Sequence, residues 1–132
     1  RIHRDYAGRF QGLYFFILVD AYCKWTEVYE VNADPTSEIT IKMLDVVFAR
    51  FGFPESLVSD NASIFTSENF GNYSKSKAIK RHLIPLFNPR SNRHAERYVQ
   101  IIKQKLRKAA EDGGLMQSKL KKILFRLRVT PL

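Results

Sequence analysis

Ile2 to Tyr6 alternates apolar with polar positions, the two-residue period of a strand with one face in a core. Gly8 and Gly12 punctuate a turn after it, and Tyr14 to Val19 is a continuous apolar run, as in a strand buried on both faces. A third strand is predicted at Trp25 to Val31. Only Asp20 to Lys24 connects these last two strands, so they pair antiparallel as a hairpin and the three strands form a meander. Asp34 and Pro35 then supply an N-cap and a first-turn proline. Ile39, Met43, Val46, Val47 and Arg50 recur at helical spacing, Leu44, Phe48 and Phe51 widen the apolar face, and Gly52 ends the helix. Leu57-Val58 reads as a short strand ending at Ser59-Asp60. Thr66 or Ser67 caps a short helix through Phe70, and Ile79 to Ile84 is a further strand. After a Pro- and Asn-rich loop, Pro85 to Asn92, the stripe Ala95, Val99, Ile102, Leu106 and Ala109 predicts a helix that breaks at Gly113-Gly114; Leu115 to Leu127 is a second, basic helix. This order predicts an α/β fold: a five-stranded mixed sheet, with a three-strand antiparallel meander plus two parallel strands, flanked by helices.

Composition narrows the class. At 132 residues the chain is one domain, able to hold a core without disulfides or a structural metal. Cys23 is the one cysteine, read as a reduced thiol, and with only His3, His82 and His94 beside it no closed Cys/His zinc site can be built. The longest apolar run, Leu13 to Val19, falls well short of the roughly 18 residues a membrane span needs, so no membrane partner is expected. The chain opens at Arg1 without a signal-peptide pattern and is expected to be a domain of a longer protein. Charge is uneven: residues 1–74 hold 6 Lys+Arg and 10 Asp+Glu, residues 75–132 hold 16 and 3. So basic a second half suits a polyanion bound through its phosphates; the plainer reading is a solvated lysine-rich helical surface.

Three acids stand out against that field. Asp5 lies in the first strand, Asp60 ends the strand after the long helix, and Glu96 sits in the first turn of the basic helix. Singly, each has an ordinary reading: a strand acid, a turn residue, a charge complementing a helix N-terminus. The phrases around them are more specific: His3-Arg4-Asp5, Ser59-Asp60-Asn61, Phe65-Thr66-Ser67, and the run Asn88 to Arg97. With Leu18-Val19-Asp20-Ala21, Lys24-Trp25, Arg50 to Pro54 and Arg128 to Pro131, they make the chain resemble, almost end to end, the integrase catalytic core of retroviruses and gypsy-type LTR retrotransposons, in the retroviral integrase superfamily.

The resemblance implies an RNase H-like fold over residues 1–132 and a DDE motif made of Asp5, Asp60 and Glu96. In that pattern Asp5 bridges two metal ions while Asp60 and Glu96 each hold one. The implied cofactor is Mg2+ or Mn2+, two ions when DNA is bound. The chemistry supplies its own reason: phosphodiester transfer needs both the attacking and the leaving oxygen stabilised, and hard divalent ions on carboxylates do this. The implied activity is that of a polynucleotidyl transferase, trimming 3′ ends of retroelement DNA and joining them to target DNA by direct attack of the 3′-OH. The implied partners are DNA and a second copy of the chain, and the implied place of action is the nucleus.

Helical spacing lines Glu96, Gln100, Lys103 and Arg107 along one flank, beside the apolar stripe. The resemblance implies that this helix grips the DNA end, which makes Gln100 and Lys103 DNA-binding candidates, together with Arg97, Arg107 and the loop residues Asn92 and Arg93; such contacts position phosphates. Asn61 and Asn92 could support the metal ligands or the DNA loop, or Asn92 could simply cap the helix. His3 shares a strand face with Asp5 and reads as a satisfied neighbour, His94 as solvent-facing, and Trp25 with the aromatic strands as core. The chain departs from the family at Ala62, Ala78 and Arg93, where glycine is usual, and harmlessly at Arg9, where proline is common. Where glycine supplies positive φ, a Cβ costs on the order of 1 kcal/mol. Arg93 is the gravest of these if its loop must flex around DNA. A second reading therefore stays open: a domesticated DNA- or protein-binding module without turnover, favoured by the lost glycines and opposed by the intact acids.

Overall fold

The computed structural model describes residues 2–20, 25–59, 67–83 and 90–129. The described elements are β1 (Ile2–Phe10), β2 (Leu13–Asp20), β3 (Thr26–Val31), α1 (Ser37–Phe51), β4 (Ser56–Ser59), α2 (Glu68–Ser76), β5 (Lys80–Leu83), α3 (Arg90–Glu111) and α4 (Met116–Val129). The sheet order is β3-β2-β1-β4-β5. The first three strands are the antiparallel meander, and β4 and β5 add in parallel beside β1.

β2 is apolar throughout because both of its faces are covered. Phe15, Ile17 and Val19 pack with Ala7, Val28 and the α3–α4 side chains Tyr98, Val99, Ile102, Leu106, Met116 and Leu120. Phe16 and Leu18 face the other way, into a core with Leu44, Val47 and Phe48 of α1 and Phe70 and Tyr73 of α2. Ile102 and Leu106 are fully buried, each contributing about 1.5–3 kcal/mol of transfer free energy. They fix the rotation of α3, and hence which of its flanks meets the sheet.

Several local expectations are corrected. β1 runs on through Gly8 to Phe10, with a register shift between Ala7 and Phe10. Gly8 has φ +122°, and a Cβ there would meet the Leu13 carbonyl at 2.8 Å, so it serves the strand rather than the turn; Gln11-Gly12 makes the turn. Thr36, not Asp34, caps α1, its hydroxyl accepting from Ile39 N–H at 3.2 Å. The buried face of α1 is Thr40, Leu44, Val47 and Phe48, while Val46 and Phe51 are exposed. Ser67 caps α2, which continues past Phe70 to Ser76. α3 already begins at Arg90, so Arg90–Asn92 are helical and Glu96 stands in the second turn rather than the first. The expected break after α3 is present, Gly113 and Gly114 both having positive φ, and Lys119 Nζ donates to the Ala109 carbonyl at 2.6 Å near the helix end. Trp25, expected in the core, is 46% exposed.

Candidate active site and its basic helix

Asp5 lies on the central strand, opposite Ile17 of β2. Residues alternate across a strand, so Asp5 shares the α3 side with His3 and Ala7, and Arg4 and Tyr6 turn to the α1–α2 side. Arg4 is buried there, its guanidinium 4.0 Å from the Phe70 ring centroid. Tyr6 meets the Thr40 hydroxyl. Burial raises the Tyr6 phenol above its ordinary value, and the Thr40 hydrogen bond and the Arg4 charge offset part of that. His3, on the α3 side, is buried at 2% exposure.

Both carboxylate oxygens of Asp5 are engaged. Oδ1 accepts from the Tyr6 backbone N–H at 2.7 Å, and Oδ2 lies 2.6 Å from Lys103 Nζ on α3. Glu96 is half-buried; Arg97, Gln100 and Arg107 are exposed. At about 100° per residue, Glu96, Gln100, Lys103 and Arg107 fall within about 60° of one another, and Lys103 stands about 10 Å along the axis from Glu96. The helix flank foreseen from spacing therefore exists, and its lysine reaches the first acid. That ion pair was not foreseen: the two residues are far apart in sequence, and the available signal was the opposite charge of two half-buried groups facing one another.

β4 runs beside β1 with Ile2 opposite Leu57 and His3 opposite Val58, and ends at Ser59. Asp60 follows in sequence and lies outside the described residues, as do Asn61, Ala62 and Cys23. Asn92, Arg93 and His94 are placed by their backbone alone, within α3; Asn92 is thus inside the helix rather than its cap. Arg93 is in helical backbone, where a Cβ costs nothing. Ala78 does occupy a glycine-type position, with φ +55°.

Among the described residues no three His, Cys, Asp or Glu side chains gather as a metal-binding group. Asp5 and Glu96 are the two described acids of the motif. Their oxygen donors suit a hard divalent cation, and Asp5 already draws a cation to hydrogen-bond distance.

This sheet, covered by helices on both faces, has the RNase H-like architecture of integrase catalytic cores. The HTLV-2 integrase catalytic core domain, solved in complex with magnesium in a dimeric form, superposes with a TM-score of 0.70 at 21% identity, covering 98% of this chain and 86% of that one. The family model described as integrase core domain matches residues 2–89, and the chain belongs to that family. An uncharacterized protein of Caenorhabditis elegans is 36% identical over 131 residues, which is 99% of this chain and 10% of that protein. The Pol polyprotein of Feline endogenous virus ECE1 is 30% identical over 120 residues, 89% of this chain and 12% of the polyprotein. The chain thus spans about a tenth of the length of these relatives.

Proposed function

We propose that residues 1–132 are the catalytic core of a polynucleotidyl transferase that processes 3′ ends of retroelement DNA and joins them to target DNA in the nucleus. The observation that carries this reading is Asp5 on the central strand of an integrase-type sheet, facing a basic helix flank that also bears Glu96. Asp5, Asp60 and Glu96 would hold Mg2+ or Mn2+; the magnesium in the HTLV-2 core is consistent with that donor set. Bound there, two such ions supply activation of the attacking oxygen and stabilisation of the leaving one.

The chain's own residues do the rest. The Tyr6 N–H holds one oxygen of Asp5 and so orients its carboxylate. Gln100, Lys103 and Arg107 on one flank, with Arg97, Asn92 and Arg93 toward the helix start, bind phosphates and set the DNA end over the acids. The buried stripe of α3 keeps that flank rigid against the sheet. A second copy of the chain is the expected partner, supported by the dimeric form of the HTLV-2 core.

The competing reading, a binding module without turnover, loses weight where Arg93 is helical, since that glycine replacement strains nothing in this conformation. Incubation with a duplex DNA end and Mn2+ tests the reading. Partial reaction, strand cleavage or joining, is expected from the wild-type core and absent from Asp60→Asn and Glu96→Gln; products that persist in both variants would overturn it.

A further inference from the structure

Lys103 and a divalent ion would draw on the same carboxylate. Asp5 Oδ1 is occupied by the Tyr6 N–H and Oδ2 by the Lys103 ammonium, at 2.7 and 2.6 Å. An ammonium already seated on Oδ2 repels a divalent ion placed beside it on the same carboxylate, so the two cations compete for Asp5. Resting on the metal reading of Asp5 above, we propose that Lys103 is an exchangeable internal cation: it neutralises Asp5 until metal arrives, is displaced by the metal, and then takes a DNA phosphate.

The surroundings suit an exchange. Lysine is a point charge on a flexible four-carbon stem, unlike the planar fork of arginine. The Lys103 side chain is 24% exposed, so part of it already reaches solvent. Among the described residues Asp5 is its one ion-pair partner. The neighbours one turn away on the same flank, Gln100 and Arg107, are exposed and carry no negative charge to recapture it. A released ammonium therefore joins Arg107 on a surface that favours a polyanion.

Two linked effects follow. Removing Lys103 frees Asp5 for metal, and metal binding raises DNA affinity in the wild type because it liberates a phosphate ligand. Linkage makes the coupling reciprocal, with allosteric couplings commonly about 5- to 150-fold. Lys103 is on this view a positioning residue that ties metal loading to DNA capture.

Mn2+ titration by calorimetry, on the wild type and on Lys103→Gln, Lys103→Met and Arg107→Gln, tests the exchange, paired with fluorescence anisotropy of a duplex oligonucleotide in Mn2+ and in EDTA. Both Lys103 variants are expected to bind Mn2+ at least about fivefold more tightly than the wild type. Arg107→Gln removes a charge from the same flank without touching Asp5 and should shift metal affinity less than about twofold. The gain in DNA affinity on adding Mn2+ should shrink in the Lys103 variants. Unchanged or weaker Mn2+ binding in both Lys103 variants, with binding still lost in Asp5→Asn, overturns the exchange and leaves the metal site standing. Equal gains in Lys103→Gln and Arg107→Gln reduce Lys103 to a general field effect and also overturn it. Absence of Mn2+ binding in every folded variant overturns the exchange together with the metal reading.

Discussion

Among the described residues two ion pairs join the sheet to the basic helices, and they are built differently. At the start of β3, Arg128 of α4 donates to the Thr26 carbonyl at 2.8 Å, lies 3.5 Å from Glu27 Oε1 and stacks 4.2 Å over the Trp25 ring. Trp25 in turn donates to the same Glu27 oxygen at 2.8 Å. Four groups hold one another there, through a planar guanidinium that can stack and bond at once. At the middle of β1, Lys103 of α3 holds Asp5 by a single ammonium contact. The first is a pin, and losing any member leaves the others misplaced. The second is a contact between a point charge on a flexible stem and an acid proposed above as a metal ligand. Similar burial and similar charge are thus built differently: the Arg128 guanidinium meets three described groups and the Lys103 ammonium one.

Breaking the pin should have the largest effect on folding. Arg128→Ala removes a carbonyl hydrogen bond and a cation–π contact, and is expected to lower the stability read from urea unfolding by about 2 kcal/mol. Arg128→Lys should recover only a minor part, because the fork and the stack are lost. A full rescue by lysine would erase the distinction between the two pairs.

A contact with one charged partner sharpens the comparison at intermediate size. Tyr73 of α2 donates to Asp45 Oδ1 at 2.7 Å. Burial, then the hydrogen bond and charge of Asp45, raise its phenol well above the ordinary value of 10.0. A raised folded-state value means the native state keeps a proton the unfolded chain releases. Its stabilisation is complete below pH 10 and is lost as pH climbs above the unfolded value. Tyr73→Phe should cost about 1 kcal/mol at neutral pH and flatten that alkaline loss in urea melts between neutral and strongly alkaline pH.

Ala78→Gly is expected to be smaller and of opposite sign. Relief of a left-handed φ of +55°, less the added freedom of the unfolded chain, should stabilise by about 0.5 kcal/mol. Smallest on this scale is Lys103→Gln, expected to change stability by less than about 0.5 kcal/mol, whereas its effect on metal binding is expected to be large.

Much of this was legible in the chain. Strand periodicity located all the described strands, because a β2 buried on both faces is apolar at consecutive positions and β1 is not. The apolar stripe of α3 located Val99, Ile102 and Leu106 correctly and so placed Glu96, Gln100, Lys103 and Arg107 on one flank. The cap of α1 was misread because Asp34, Pro35, Thr36 and Ser37 all carry start signals and only backbone geometry selects Thr36. The buried face of α1 was rotated for a related reason: nine apolar residues crowd that helix, and Val46 and Phe51 are no less hydrophobic than Val47 and Phe48. Trp25 was read as core because strand alternation registers its hydrophobicity and not the arginine that covers it from α4. The Asp5–Lys103 contact joins elements from opposite ends of the chain, and no local pattern encodes it. The glycine-type position at Ala78 was legible through the family resemblance rather than through any local signal.

Asp5, Asp60 and Glu96 are proposed to form one metal site. Calorimetric titration of Mn2+ into the chain and into Asp5→Asn, Asp60→Asn and Glu96→Gln tests it most directly. Saturable binding by the wild type that is lost or at least about tenfold weaker in each variant is the predicted result, since each removes a charged oxygen ligand. Binding that survives undiminished in all three folded variants would contradict it.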